Sequence, residues 1–322
     1  MDKCFYCYQG FSESDRTKQA AKRGFHESCS RKMFGKSVPP ELPYTEDDFI
    51  KLGDAIINSH KSVPGVQPKL SVGIERIRGV NESEKLTIVG ILGEYILKPQ
   101  TKVYKNLPEI EDVTMHLAEI AGIKTVRHSL IALKSGQLAY ITKRVDRTKN
   151  GKLHMEDMCQ LTERPTEHKY RGSYEQIAKT ILKYAANSYF NVINFYEQVI
   201  FSFLTGNNDM HLKNFSLLKD ETEAYNLCPA YDMVASELVL DDNEELALNL
   251  NGKKRELRRK DFEIALKGGG LDPKTIENIF NKFKKALPEW HAFIDNSFLP
   301  LELKEKYHVL INLKSEQLDL DD

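Results

Sequence analysis

The chain reads as an α+β protein of two lobes, a strand-rich lobe followed by a helical one, with a short Cys/His segment in front. Three observations predict this. Between residues 69 and 145, apolar residues alternate with small or polar ones in short runs, the period of a half-buried strand. From about residue 155, apolar residues recur at three- and four-residue intervals, as on one face of a helix. Before residue 45 the pattern is set instead by Cys4, Cys7, His26 and Cys29, and ends in the extended stretch Val38-Pro-Pro-Glu-Leu-Pro. The expected domains are residues 1–45, 46–150 and 151–322.

Each element has its own warrant. Thr45 opens a helix over Glu46–Asn58 as N-cap. Leu70, Val72 and Ile74 mark a strand, and residues 86–92 and 94–98 mark two more. One helix interrupts them, with Ile110, Val113, Leu117 and Ile120 on one face and Gly122 as its stop. A hairpin runs out through Ser129–Leu133, turns at residues 134–136 and returns through Leu138–Lys143. In the helical lobe, Ser173 and Gln176 form a capping box for a helix buried through Ile177, Ile181, Tyr184 and Ala185. The next helix carries Val192, Phe195, Val199 and Phe203 and leads into a polar loop at residue 206. Asn251-Gly252 reads as a hairpin turn, and Ile276, Ile279, Phe280, Phe283 and Leu287 mark a late amphipathic helix.

Composition narrows the classes. A 322-residue chain with 41% apolar and 29% charged residues fits a soluble globular protein. A net charge of −1 supplies no global field for nucleic acid or anionic lipid, so strong direct nucleic-acid binding is not expected. No apolar run approaches the roughly 20 residues of a membrane helix, and the opening Met-Asp-Lys-Cys-Phe-Tyr-Cys lacks the apolar core of a secretory signal. The expected location is cytoplasmic. Five cysteines, an odd count in a chain of this size, do not suggest a disulfide framework.

The chemistry concentrates in Gly206-Asn-Asn-Asp-Met-His-Leu-Lys-Asn214. Asp209 and Asn214 have the five-residue spacing of a phosphoryl-transfer loop, in which the Asp accepts a substrate hydroxyl proton and the Asn holds Mg²⁺. Lys213 stands between them to meet a phosphate, and His211 assists it, orients Asp209 or packs within the loop. Asp232, after Ala230-Tyr231, offers a second metal-binding carboxylate. Upstream, Gly65, Val66, Gln67 and Lys69 precede the first strand, as a turn or as a phosphate-covering loop. Lys98 ends a strand and Glu111 sits in the first turn of the next helix; a kinase pairs such a lysine and glutamate over the α/β-phosphates. Together these features follow the bilobal plan of a protein kinase, with nucleotide between the lobes.

Cys4-x₂-Cys7 with His26-x₂-Cys29 supplies four soft ligands in two close pairs, the pattern of a closed tetrahedral zinc site or of four free groups in a small reduced subdomain. Lys253, Lys254, Arg255, Arg258, Arg259 and Lys260 form a basic cluster at a turn and helix start.

Taken together, Ser62-Val-Pro-Gly-Val-Gln-Pro-Lys69, Tyr95-Ile-Leu-Lys98, Glu111, Lys143-Arg-Val-Asp-Arg147, Leu153–Gln160, Gly206–Leu218, Tyr231–Ser236 and Asn249–Arg255 resemble the HipA-type serine/threonine kinases, toxins of bacterial toxin–antitoxin modules. The resemblance implies a HipA-like kinase fold with Asp209 as base, Asn214 and Asp232 on Mg²⁺, Lys98 and residues 65–69 on ATP, and Lys143 and Val145 at the adenine-facing hinge. It implies autophosphorylation at Ser62, an aminoacyl-tRNA synthetase as substrate and a helix-turn-helix, HipB-like antitoxin. Only about sixty residues precede Ser62, so the chain looks more like the short HipT-like members, whose missing subdomain is a separate HipS-like protein. Where the family hinge carries an acidic residue and an aromatic, this chain has Lys143 and Val145. The alternatives are a small-molecule kinase of related bilobal form and a nucleotide-independent DNA-binding or scaffold protein built on the cysteine segment and the 253–260 cluster.

Overall fold

The computed structural model describes residues 2–49, 69–76, 84–89, 93–240 and 243–320. The chain divides into two compact units, one of residues 1–112 and 126–144, the other of residues 113–125 and 145–322. The dividing point falls within the helix Leu107–Ile120.

The first unit is built on a five-stranded antiparallel sheet of β1 (Leu70–Arg76), β2 (Glu84–Ile88), β3 (Tyr95–Lys98), β4 (His128–Ala132) and β5 (Leu138–Lys143), in the order β2-β1-β3-β5-β4. β1 sits between β2, with Ile74 opposite Leu86, and β3, with Leu70 opposite Leu97. β3 pairs in turn with β5, where Lys98 lies opposite Tyr140. The alternation read from the sequence is real here: Leu70 and Val72 are buried while Ser71 and Gly73 are only half-buried. The second strand begins earlier than its apolar run suggested, because Glu84 and Lys85 continue the pairing with β1.

The amino-terminal segment carries three short helices, α1 (Glu13–Arg16), α2 (Gln19–Lys22) and α3 (Glu27–Phe34). It packs on this sheet: Phe34 meets the Tyr95 ring at 5.7 Å, the Tyr95 hydroxyl donates to the Met33 carbonyl, and Leu130 N–H donates to the Phe5 carbonyl. Thr45 opens a helical turn at residues 46–49 with its N–H and hydroxyl both donating to Asp48 at 2.8 Å, and the expected continuation to Asn58 lies outside the described residues. The first turns of α4 (Leu107–Ile120) bring Glu111 to Lys98, with a carboxylate oxygen 2.5 Å from Nζ and both side chains nearly sealed from water, 4% and 2% exposed. The ring of Tyr140 lies beside that ammonium at 5.4 Å.

In the second unit, α5 (Met158–Leu161), α6 (Tyr174–Tyr184), α7 (Ser188–Leu204), α8 (Arg259–Gly268), α9 (Pro273–Asp295) and α10 (Leu301–Gln317) form a helical body. Its core includes Phe195, Phe201, Phe203, Phe283 and Trp290, all fully buried, and the Trp290 indole N–H donates to the Leu117 carbonyl at 2.8 Å. Ser173 caps α6 through the Gln176 N–H, while the Gln176 side chain accepts from Arg164. Asn251 and Gly252 turn at φ 48° and 77° between Leu250 and Lys253, which exchange both backbone hydrogen bonds. This unit is not purely helical. β6 (Arg147–Thr148) and β7 (Gly151–Lys152) make a ribbon, and β8 (Met155–Asp157), β9 (Ser216–Lys219) and β10 (Tyr225–Leu227) make a sheet in the order β10-β9-β8. No described helix is long and apolar enough to cross a membrane.

The buried Lys98–Glu111 pair yields a stability test. Removing one partner strands the other charge away from water, so Lys98→Ala should destabilise by about 3–5 kcal/mol. Replacing both, as K98M/E111L, should restore most of that loss. Urea unfolding measures both.

Candidate active site

The loop that follows α7 is fixed from several sides. Gly206 takes φ 65°, a left-handed turn that a Cβ would block by meeting Leu310 at 2.6 Å. Asn208 N–H donates to the Ser236 hydroxyl, that hydroxyl donates to Asn208 Oδ1, and Asn208 Nδ2 reaches the Glu244 carbonyl. Asp209 N–H points at Asn207 Oδ1, and its carbonyl accepts from His211 N–H at 2.8 Å and Asn214 Nδ2 at 3.0 Å. The Met210 carbonyl accepts from the buried Tyr174 hydroxyl. The backbone around Asp209 is therefore satisfied internally, while its half-buried carboxylate remains available for chemistry.

Asn214 ends a 3₁₀ turn of Leu212–Asn214. Its amide nitrogen is tied to the Asp209 carbonyl, which leaves Oδ1, the donor type a hard cation takes, outside that bond. Asp232 is the second carboxylate. Its φ of 60° places a non-glycine residue in the left-handed region, a conformation found disproportionately at functional sites. Asp209 and Asp232 act on the same neighbours: both raise the Tyr170 phenol and both oppose the loss of the proton from His211. Asp209, His211 and Asn214 therefore share one loop of the second unit, and Asp232 bears electrostatically on the same Tyr170 and His211.

His211 is buried, and that burial lowers its pKa to about 4 despite the two carboxylates, with Lys169 acting in the same direction as burial. It is neutral at pH 7. Among the described residues its Nδ1 has no hydrogen-bond partner. Lys213 is engaged by the Asp157 carboxylate at 2.7 Å. Tyr231 braces this side of the loop by donating to the Lys213 carbonyl and sharing a 2.6 Å hydrogen bond with Ser216.

Sequence reasoning missed Tyr170. Its hydroxyl donates to Asp209 Oδ1 at 2.6 Å, and its ring stands edge-on to His211 at 5.0 Å. It lies 39 residues before Asp209 on a 3₁₀-containing connection, so no local spacing announces it. The role of Asp157 was also missed, although it doubles as the N-cap of α5.

The remaining predicted residues fall elsewhere. Ser62, Gly65, Val66 and Gln67 lie outside the described residues. Lys69 is exposed just before β1, and Lys98 is in the buried pair of the first unit. Lys143 ends β5 with its ammonium 5.9 Å from the Tyr95 ring, and Val145 is half-buried two residues on. Half of the basic cluster is paired with carboxylates, Lys253 with Asp261, Lys254 with Glu244 and Arg259 with Glu263 and Glu277, while Arg255, Arg258 and Lys260 are exposed.

Cys4, Cys7, His26 and Cys29 come together: their candidate ligand atoms all lie within 4.8 Å of one another. Tetrahedral zinc with Zn–S near 2.3 Å and Zn–N near 2.0–2.1 Å separates its ligands by roughly 3.5–3.8 Å. The observed Cys7 Sγ to His26 Nδ1 distance is 3.4 Å. The other His26 nitrogen faces Asp15 at 3.8 Å, the outer carboxylate that orients many metal-binding imidazoles.

Residues 61–290 match the model of the HipA-like C-terminal domain family. A relative from Haemophilus influenzae named "Putative kinase" is 29% identical over 247 residues, spanning 73% of this chain and 68% of its own. Another from Sinorhizobium fredii, named "Putative kinase Y4dM", is 31% identical over 246 residues, spanning 72% of this chain but only 57% of its own. Among solved structures, HipA of Shewanella oneidensis, determined with HipB and operator DNA, superposes with a TM-score of 0.69 at 20% identity, over 86% of this chain and 71% of its own. The Helicobacter pylori proinflammatory kinase CtkA superposes with a TM-score of 0.53 at 15% identity, over 73% and 91%. These two likenesses bear on the fold, while the family match covers most of the sequence including the whole Asp209 loop, and the chain belongs to the HipA-like C-terminal domain family of kinases.

Proposed function

We propose that this chain is an ATP- and Mg²⁺-dependent serine/threonine protein kinase serving as the toxin of a toxin–antitoxin pair. The observation that carries the reading is the Asp209–Asn214 loop, whose backbone is held by its own hydrogen bonds, with the Asp232 carboxylate acting on the same His211 and Tyr170 as Asp209. In this reading Asp209 takes the proton of a serine hydroxyl while that oxygen attacks the γ-phosphorus, the bond from phosphorus to the bridging β-phosphate oxygen breaks, and ADP leaves. Asn214 Oδ1 and the Asp232 carboxylate would hold Mg²⁺, which supplies charge stabilisation for the transferring group. Tyr170 orients the Asp209 carboxylate through its 2.6 Å hydrogen bond. Neutral His211 adds no positive charge beside the base at pH 7.

Lys98, held by Glu111, would hold the α/β-phosphates, with Gly65, Val66, Gln67 and Lys69 covering them and Lys143 and Val145 facing adenine. Ser62 is the proposed site of autophosphorylation, which would place roughly −1.5 to −2 charges beside a site for anionic ATP. The HipA of Shewanella oneidensis was solved with HipB, which supports a HipB-like helix-turn-helix antitoxin as partner here. A HipS-like subunit and an aminoacyl-tRNA synthetase substrate belong to the same reading. Structural Zn²⁺ in the Cys4, Cys7, His26 and Cys29 cluster completes the cofactors, on the strength of its ligand geometry.

Asp209→Asn should keep the fold and lower phosphate transfer from labelled ATP by at least about a hundredfold, as loss of a general base does; transfer at the wild-type rate would remove Asp209 from the role of base. If lysate proteins stay unlabelled while an added small alcohol or amine is phosphorylated, the small-molecule alternative takes its place. For His211, the unfolded imidazole binds a proton below about pH 6.5 while the folded one stays neutral until about pH 4. Stability should therefore fall as pH drops through that window, by roughly 2–3 kcal/mol. His211→Gln should flatten that part of the profile, as read from urea unfolding at pH 7 and pH 4.5.

A further inference from the structure

The Cys/His cluster is joined to both members of the Lys98–Glu111 pair. Cys7 is followed by Tyr8, which is fully buried and held at φ 61°, a left-handed conformation that an aromatic residue rarely adopts. The knuckle imposes it: Cys4 N–H donates to the Gln9 carbonyl and Tyr8 N–H to the Cys4 carbonyl, both at 2.9 Å. The turn sends the Tyr8 hydroxyl inward to Asp112 Oδ2 at 2.7 Å. Asp112 Oδ1 is 2.7 Å from His128 Nδ1 on β4, so this fully buried carboxylate is bracketed by two hydrogen bonds. It is the immediate neighbour of Glu111. On the other side, Cys29 belongs to α3, whose Met33 carbonyl accepts from Tyr95 and whose Phe34 packs on the Tyr95 ring. Tyr95 begins the four-residue strand that Lys98 ends.

We infer that zinc in the Cys4/Cys7/His26/Cys29 cluster, acting through Tyr8 on Asp112 and through α3 on Tyr95, sets the position of the Lys98–Glu111 pair, with Tyr8 as a positioning residue for ATP. The physical reason is rigidity. One tetrahedral centre fixes the Tyr8 turn and the start of α3 relative to each other, and each then bears on one of the two elements carrying the pair. α1 and α2 have four residues each, too short to hold such a register by helix stability. The inference rests on the kinase reading only for its consequence for ATP; the mechanical link stands on unit-one contacts.

The test compares the zinc-loaded full chain, the same chain stripped with a zinc-selective chelator and returned to Mg²⁺ buffer, and zinc-loaded Tyr8→Phe. Metal analysis should find one zinc per chain in wild type and in Y8F. Stripping should speed amide exchange in peptides covering residues 95–98 and 107–112 at least tenfold, leaving residues 301–317 unchanged, with zinc restoring the slow rate. Y8F should keep its zinc, exchange faster only at 107–112, and raise KM for ATP about tenfold with little change in kcat. Absence of bound zinc, or exchange at 95–98 and 107–112 that ignores stripping, overturns the proposal. Should stripping unfold the whole chain, Y8F decides: wild-type exchange at 107–112 overturns the link, faster exchange there supports it. If wild type transfers no phosphate, the kinase reading fails, while the exchange data still judge the zinc link.

Discussion

A carboxylate that is to take a proton at one defined point in space must have its backbone immobilised by something other than itself. In the proposed reading of this chain that constraint falls on residues 206–214. The Asp209 carbonyl accepts from His211 and Asn214, its N–H faces Asn207, and Asn208 is locked to Ser236. Every one of these partners is polar and most are buried, so the loop can exist only because its hydrogen bonds close on themselves. The helices around it, with Phe195, Phe203 and Tyr174 fully buried, supply the rigid frame on which such a loop can be hung. The same donor that secures Asp209, the Asn214 amide nitrogen, also decides which end of that amide can meet a cation.

Much of this was legible in the sequence because it is encoded over short distances. The Asp209–Asn214 spacing lies within one loop. The meeting of Lys98 and Glu111 follows from a strand that ends in lysine and a helix that begins soon after it, and the structure brings them to 2.5 Å. The two Cys/His pairs needed only one assumption, that a chain segment of this length folds back on itself, and their ligand atoms do converge. The hairpin over β4 and β5 and the turn at Asn251-Gly252 carried unambiguous local signals.

What stayed hidden was either too short or too distant. β8 and β10 have three residues each, all half-buried, which gives alternation nothing to show. Tyr170 reaches Asp209 from a connection with little regular structure, and Asp157 caps a helix with one carboxylate oxygen while the other holds Lys213 from 56 residues away in sequence. The basic run at 253–260 shows the opposite failing of sequence reading. Its charge stands out along the chain, yet in space Asp261, Glu244, Glu263 and Glu277 pair with Lys253, Lys254 and Arg259.

The left-handed backbone at Asp232 has a thermodynamic corollary. Such a conformation disfavours a non-glycine residue by roughly 1–2 kcal/mol, less for Asp than for bulkier side chains. A ligand that met this carboxylate only as the left-handed backbone presents it would offset that cost from its own binding free energy, by no more than its differential affinity for the two backbone states.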